Sequence, residues 1–372
     1  MSNPRNILLV HLFSNGDCLY ATTVARQIKN DFPGCKLTWM IAAYCRNIID
    51  NNPYVDEIIT ETTVAKNDNF HYRKLLAVIK KQQQDGQWDE VFITHNMYNN
   101  LCWYDGTVRG MVLRAYPRPI TVPVQPVLVL TEEEKNKVAR FASDHFLEKY
   151  KQVILWEYAP QSGQSALSAN EVMQIAVRLT ETNQDIAVIL SSAVSFISTD
   201  NIIDASSLSV RENAALTHYC HLLIGCSSGL TWLTTSSAAN MLPMLQLLNP
   251  QAMFINAPSE DFKRNNIPVQ LIEMTTLDSN RIINCVTVIL NEGMEKACQE
   301  FNEVLPLQFI TTRQIVYNML CYLQFDEIKK HYQVMTAVYG KHPLFLKAFY
   351  GAMAGFPVKL LRNIIRKKIL KR

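Results

Sequence analysis

Short apolar runs alternate with longer helical patterns along the first third of the chain. Short, continuous apolar runs are typical of strands that are buried on both faces of a parallel sheet. They predict strands at residues 6–11, 37–41, 57–60, 90–94 and 127–130. Stretches with helical spacing lie between the earlier strands, near residues 18–31, 43–51 and 70–84. This order of elements predicts an α/β fold.

The alternation starts again after a proline-rich interruption at residues 116–126. Capping boxes, in which Ser or Thr is followed three residues later by Glu, predict helix starts at Thr131, Ser168 and Ser209. Apolar runs predict further strands from residue 152 and at residues 186–192, 221–226 and 243–248. The second half of the chain therefore repeats the α/β organisation of the first.

A chain of 372 residues is too long for one ordinary core and indicates two domains. We predict two Rossmann-like domains that face a cleft, with ligands at the carboxyl ends of their strands. The predicted boundaries are 1–150 for the first domain, 151–325 for the second domain and 326–372 for a C-terminal helical segment.

Composition and charge narrow the class of protein. The formal net charge is only +3, so nothing predicts a nucleic-acid partner. The N-terminal residues lack the basic segment and cleavage site of a signal peptide, which predicts a cytoplasmic protein. The nine cysteines are scattered and include no C-x-x-C pair, which indicates reduced thiols. We interpret the tightest group of potential metal ligands as buried packing: His218, Cys220, His221 and Cys226.

A carboxylate follows the first predicted strand at the edge of the sheet where such folds bind ligands. Asp17 comes directly after the break Ser14-Asn15-Gly16 and falls in the first turn of the next helix. An acid there can simply complement the helix dipole, which contributes about 0.3–1 kcal/mol. It can also face the crevice at the carboxyl edge of the sheet. Position alone leaves both interpretations open.

Three stretches of the sequence together resemble a known family. Residues 7–41 contain a strand, Gly-Asp, a Thr-containing helix and Phe-Pro-Gly before the second strand. Residues 52–57, NPYVDE, continue that pattern, and residues 212–250 contain an AAL helix, a strand and the loop GCSSGLTW. This arrangement is similar to the heptosyltransferases of bacterial lipopolysaccharide synthesis, glycosyltransferase family nine. The resemblance implies a GT-B arrangement and metal-independent, inverting transfer of a sugar, heptose or another, from a nucleotide diphosphate donor.

The resemblance also implies roles for individual residues. Asp17 matches the acid of the family's Gly-Asp, which implies a general base that takes the acceptor's proton. In the family's G-N-D-(S/T)-G-x-x-H loop, Ser227 and Trp232 replace the Asp and the His. Backbone amides at the start of the following helix would hold the diphosphate without a lysine. The donor site is therefore assigned to Ser227, Ser228, Gly229 and Leu230, and to Ser162 in a loop that lacks the family's basic residue.

Polar residues at the carboxyl edge of the first predicted sheet form the candidate acceptor site: Asn15, Gly16, His11, His95 and Asn96. The alternatives are a core histidine at position 11 and a satisfied polar pair at 95 and 96. The implied partners are a nucleotide-sugar donor and a saccharide or glycolipid acceptor used in surface glycan assembly. No cofactor and no metal are expected.

Residues 357–372 carry seven basic and no acidic residues, with apolar positions near helical spacing. One interpretation is an interfacial helix on the anionic inner face of the cytoplasmic membrane. The other is a terminal helix that packs on the first domain.

Two alternatives to a transferase also remain open. A sugar-nucleotide epimerase would share the fold but would need no acceptor. A noncatalytic family member that binds or scaffolds is suggested by Ser227 and Trp232, which replace the family's Asp and His.

Overall fold

The structure is a computed structural model that describes residues 4–97, 100–158, 164–249, 258–305 and 309–369. Four parallel strands form the first sheet: β1 (Asn6–Val10), β2 (Lys36–Ala42), β3 (Glu57–Glu61) and β4 (Glu90–Ile93). Helix α1 (Asn15–Asp31) follows β1, and α2 (Asn69–Gln84) follows β3. These elements confirm the predicted ones to within three residues at each end.

The helix predicted near residues 43–51 is a 3-10 helix over Ala43–Ile49 rather than an α-helix. It is cut short by Asn51, which has a positive φ of 62°, and by Pro53 shortly after it. A segment this short gains few α-helical hydrogen bonds, so the tighter turn competes well.

The fifth predicted strand, at residues 127–130, is wrong. Helices α3 (Val108–Arg114) and α4 (Glu132–Asp144) flank an irregular segment instead. The Val127 amide donates to Thr22 Oγ1 at 2.8 Å, and the Leu128 amide donates to Ser237 Oγ at 3.1 Å. Because side chains from both halves of the chain satisfy its backbone, the segment needs no sheet partner.

The second sheet has six parallel strands: β5 (Gln152–Glu157), β6 (Ile186–Ser191), β7 (Ile202–Asp204), β8 (Leu222–Gly225), β9 (Met244–Leu247) and β10 (Leu271–Met274). The connecting helices are α5 (Ala169–Thr182), α6 (Glu212–Leu216), α7 (Gly229–Leu233), α8 (Pro258–Asn265), α9 (Ser279–Glu292) and α10 (Met294–Phe301). The capping boxes at Thr131 and Ser168 are present. The same reciprocal bonds join Ser209 and Glu212.

Three helices end the chain: α11 (Ile310–Cys321), α12 (Phe325–Tyr339) and α13 (Pro343–Ile369). Their buried apolar residues pack against Cys102, Tyr104 and Met111, which precede or lie on α3. The C-terminal helices therefore return to the first half of the chain, and the exact domain boundaries remain a prediction. No helix among the described residues combines the length and apolar character needed to cross a membrane.

The strand order opens one crevice in each sheet. The first sheet has the order β3-β2-β1-β4, and the second has the order β10-β9-β8-β5-β6-β7. In the first sheet, β2 lies on one side of β1 and β4 lies on the other. In the second sheet, β6 lies on one side of β5 and β8 lies on the other. In open α/β sheets, ligands bind at the carboxyl edge where the order reverses. The fold therefore marks the strand ends of β1 and β4, and of β5 and β8, as binding positions.

Candidate functional site

The crevice of the first sheet is occupied by a carboxyl group with a carboxamide partner. Asp17 lies in the first turn of α1 after β1, and Asn96 lies after β4. Asn96 Nδ2 donates to Asp17 Oδ2 at 2.5 Å. Burial raises the pKa of Asp17 to about 7, against the opposing effects of Asn96 and of the Lys66 charge. A carboxyl group with such a pKa can gain or lose a proton near neutral pH.

Two buried histidines lie on the same strand ends. His11 Nδ1 lies 3.0 Å from Thr94 Oγ1, and the His95 ring meets the His11 ring edge-on at 5.4 Å. Burial lowers the pKa of His11 to about 3 and holds the pKa of His95 well below its usual value. Within the described part of the chain, His11 Nε2 and both ring nitrogens of His95 have no hydrogen-bond partner. Both rings are therefore buried and neutral.

The crevice of the second sheet contains the predicted donor loop. Ser227 follows β8 with a positive φ of 60°, and its amide donates to Gln246 Oε1 at 2.7 Å. Ser228 caps α7, because its Oγ accepts from the Leu230 amide at 3.4 Å. The predicted helix start at Ser228 and Gly229 is confirmed. The Leu230 amide is already hydrogen-bonded to the Ser228 side chain. Ser162 lies outside the described residues.

Glu157, which sequence reasoning missed, ends β5 beside this loop. Its carboxyl group accepts hydrogen bonds from Ser228 Oγ and, at 3.4 Å, from Cys226 Sγ. Burial raises the pKa of Glu157. An ionised carboxylate here would repel a diphosphate, so a raised pKa favours anion binding. The available signal was its place at the end of the first strand of the second half.

The two crevices face each other at close range. A Cβ atom on Gly16 would lie 3.5 Å from Gly229 Cα and 3.3 Å from Trp232 Cδ1. The rings of Tyr20 and Trp232 meet edge-on at 5.3 Å. Trp232, which stands where the resembled family carries His, is buried in this seam. Asp17 is thereby brought next to the helix start that carries the predicted donor loop.

A buried ion pair joins the same two parts of the chain. Arg109 on α3 places its Nε 3.1 Å from Asp261 Oδ2 on α8, and both side chains are fully buried. The Arg109 guanidinium also lies 4.8 Å from the centre of the Tyr20 ring. Burial raises the pKa of Asp261 to about 6 although Arg109 opposes the rise. No sequence pattern connects two residues so far apart, which is why this pair was missed.

The potential metal ligands at 218–226 have separate protein partners. Cys220 Sγ donates to the Leu216 carbonyl at 3.2 Å, and His221 Nδ1 accepts from the Val153 amide at 3.0 Å. Among the residues that the structure describes, no group of three or more His, Cys, Asp or Glu side chains is arranged to hold a metal ion.

Comparison with known sequences gives one partial relative. No protein-family model matches the chain. A Haemophilus influenzae protein described as a candidate glycosyltransferase is 30% identical over 102 residues, which are 27% of this chain. The matched segment spans only 28% of the length of that relative.

Solved structures resemble the chain over most of its length. A glycosyl transferase of family 9 from Veillonella parvula has a TM-score of 0.55 and 17% identity, covering 80% of this chain and 98% of that one. The E. coli ADP-heptose LPS heptosyltransferase II has a TM-score of 0.50 and 14% identity, covering 78% of this chain and 99% of that one. The chain therefore has the GT-B fold of the family 9 glycosyltransferases, as its sequence predicted.

Proposed function

We propose that the protein is an inverting glycosyltransferase that moves a sugar from a nucleotide diphosphate donor to a saccharide or glycolipid acceptor in bacterial surface glycan assembly. The observation that carries this proposal is the position of Asp17. Its carboxyl group lies at the crevice of one sheet and has a pKa of about 7. It also lies next to Gly16, which contacts the helix start in the crevice of the other sheet.

The geometry supports a division of labour between the crevices. Asp17 would remove the proton of the acceptor hydroxyl as that oxygen attacks the anomeric carbon opposite the departing diphosphate. The backbone around Ser228 and Gly229 would stabilise the charge on the leaving group. Asn96 is hydrogen-bonded to Asp17, and Asn15 and Gly16 directly precede Asp17 in the chain. These three residues are the proposed acceptor contacts. Because the E. coli protein of similar fold is an ADP-heptose heptosyltransferase, ADP-heptose is the first donor to test.

A noncatalytic binding or scaffold subunit is the second candidate. One observation favours it: Trp232, which stands where the resembled family carries His, fills the seam between the crevices. Consumption of a sugar nucleotide that depends on an added acceptor would exclude this candidate. Binding without consumption would support it.

The first experiment is a thermal-shift panel of ADP, CDP, GDP and UDP and their sugar derivatives. A ligand that binds only the folded protein adds about 2.7 kcal/mol to the free energy of unfolding at a concentration of one hundred times Kd, and so raises the melting temperature. We expect one nucleotide series to raise the melting temperature. A flat response to the whole panel would remove the donor proposal.

The donor loop can be tested at Gly229. A Cβ atom there would meet Gly16 N at 3.7 Å and Asn15 Cβ at 3.9 Å, which are ordinary contacts. We therefore expect Gly229→Ala to keep nucleotide binding. The larger Gly229→Val should crowd the approach and weaken Kd roughly tenfold or more. Isothermal titration with the best nucleotide of the panel measures both. Equal affinity of the folded Val variant would place the diphosphate elsewhere.

We also propose that the basic tail binds an anionic membrane surface. Along α13 the apolar side chains of Leu344, Tyr350, Met353 and Val358 are exposed, and no acidic residue occurs from 343 to the end of the chain. Each well-placed cation contributes about 1 kcal/mol near such a surface.

Deletion of residues 357–372 should release the protein from anionic vesicles, and added salt should have the same effect on the full chain. Sedimentation with phosphatidylglycerol vesicles measures this, and phosphatidylcholine vesicles are the control. Full-length protein that never sediments with the anionic vesicles would leave the tail with a packing role alone.

A further inference from the structure

Asn96 makes a contact that the sequence did not predict. Its Nδ2 donates to Asp17 Oδ2 although 79 residues separate the two. The strand order explains the meeting: β1 and β4 pair in parallel, so the turns after them open on the same edge of the sheet. Both side chains are half-buried.

We propose that Asn96 is a positioning residue that keeps the Asp17 carboxylate ionised and oriented for proton removal. A carboxamide N–H can donate to a carboxylate but cannot take its proton, so the bond favours the ionised form. It also fixes the position of one carboxylate oxygen, Asp17 Oδ2. The inference rests on the proposed function for the role of Asp17 as base.

The other titratable groups around Asp17 do not replace this bond. Lys66, in the loop between β3 and α2, acts on Asp17 through its charge alone. Cys18 and Tyr20 share α1 with Asp17, and burial raises the pKa of both well above their usual values. His11 and His95 are neutral because burial lowers the pKa of each.

The same loop offers a matched control. Asn100 Nδ2 donates to the carbonyl oxygens of Ile93 and His95 at 2.8 and 2.9 Å. Asn100 therefore holds the loop after β4 by its backbone, whereas Asn96 reaches Asp17. A residue that only stabilises the loop should behave like Asn100.

The experiment compares Asn96→Ala, Asn96→Asp and Asn100→Ala with the unchanged protein. The acidic limb of the pH profile of kcat/KM for transfer should have its midpoint near pH 7 in the unchanged protein, because Asp17 must be ionised. Asn96→Ala should move that midpoint up by about one pH unit. Asn96→Asp should move it further, because a second carboxylate opposes ionisation. Asn100→Ala should lower the melting temperature and leave the midpoint in place.

A second readout does not require activity. Titration of the Asp17 carboxyl carbon by 13C NMR, identified by its loss in Asp17→Asn, reports the same protonation directly. An unchanged Asp17 titration in Asn96→Ala, or an equal shift in Asn100→Ala, would overturn the inference. A raised Asp17 midpoint in a protein that transfers no sugar would support the role of Asn96 and reject the proposed function.

Discussion

Asp17→Asn should lower transfer by roughly 10²–10⁴ while nucleotide binding stays nearly unchanged. Asparagine keeps the size of the side chain and can still accept the hydrogen bond from Asn96, but it cannot take a proton from the acceptor. The measurement is turnover at saturating donor and acceptor, beside a titration of the nucleotide. Near-normal turnover would show that Asp17 is structural, and the base would then be sought first at His11 or His95.

The same variant should be more stable than the unchanged protein at pH 8. The pKa of Asp17 rises from 3.8 to about 7 on folding, so its protonated form is favoured in the fold. The stability that goes with this protonated form is fully present below the pKa of the unfolded state and is lost as pH rises through about 7. We expect a gain of about 1–2 kcal/mol at pH 8, after allowance for partial exposure, and none at pH 4. If Asp17 only complements the helix dipole, Asp17→Asn should instead lose about 0.3–1 kcal/mol of unfolding free energy at pH 8.

Asp261→Ala should cost about 3–5 kcal/mol of unfolding free energy, because it leaves the Arg109 charge buried without its partner. Arg109 and Asp261 are both fully buried at a distance of 3.1 Å. The pKa of Asp261 is raised because the effect of burial outweighs the attraction of Arg109. The ion pair as a whole therefore contributes little to the free energy of unfolding. Urea denaturation of the purified variant measures the loss.

The double variant Arg109→Met, Asp261→Leu is the matched control. Replacing both charged side chains with apolar ones should recover most of the stability lost in Asp261→Ala. A loss under about 1 kcal/mol in Asp261→Ala would mean that Arg109 is hydrated, and therefore that the two crevices stand apart in solution.

Much of the fold could be predicted because the strands are apolar runs and the helices carry explicit caps. Strand β7 was missed because it has only three residues, and β10 because LIEM carries an acid in a polar neighbourhood. The segment at 127–130 has the apolar composition of a strand, yet Thr22 and Ser237 bind its backbone. Sequence periodicity reports burial, and burial alone does not distinguish a strand from a segment held by side chains.

The candidate site, like the fold, could be predicted only in part from the sequence. Asp17 and Asn96 could be proposed because each follows a strand at the carboxyl edge, and Ser228 because of the resemblance to the family. Their contacts were not found, since the Asn96 bond to Asp17 and the Ser228 bond to Glu157 depend on which strands are neighbours. The resemblance to a family placed Trp232 at a loop position, and packing against Tyr20 placed it in the seam.

We propose that Asp17 removes a proton from the acceptor hydroxyl while a sugar leaves its nucleotide diphosphate. The most direct measurement is release of nucleoside diphosphate from sugar nucleotides, ADP-heptose first, with and without a saccharide or glycolipid acceptor. The anomeric configuration of the product is determined by NMR. We expect release that depends on the acceptor, a product of inverted configuration, and loss of both in folded Asp17→Asn. Release at the same rate without an acceptor, a product of retained configuration, or full activity of Asp17→Asn would contradict it.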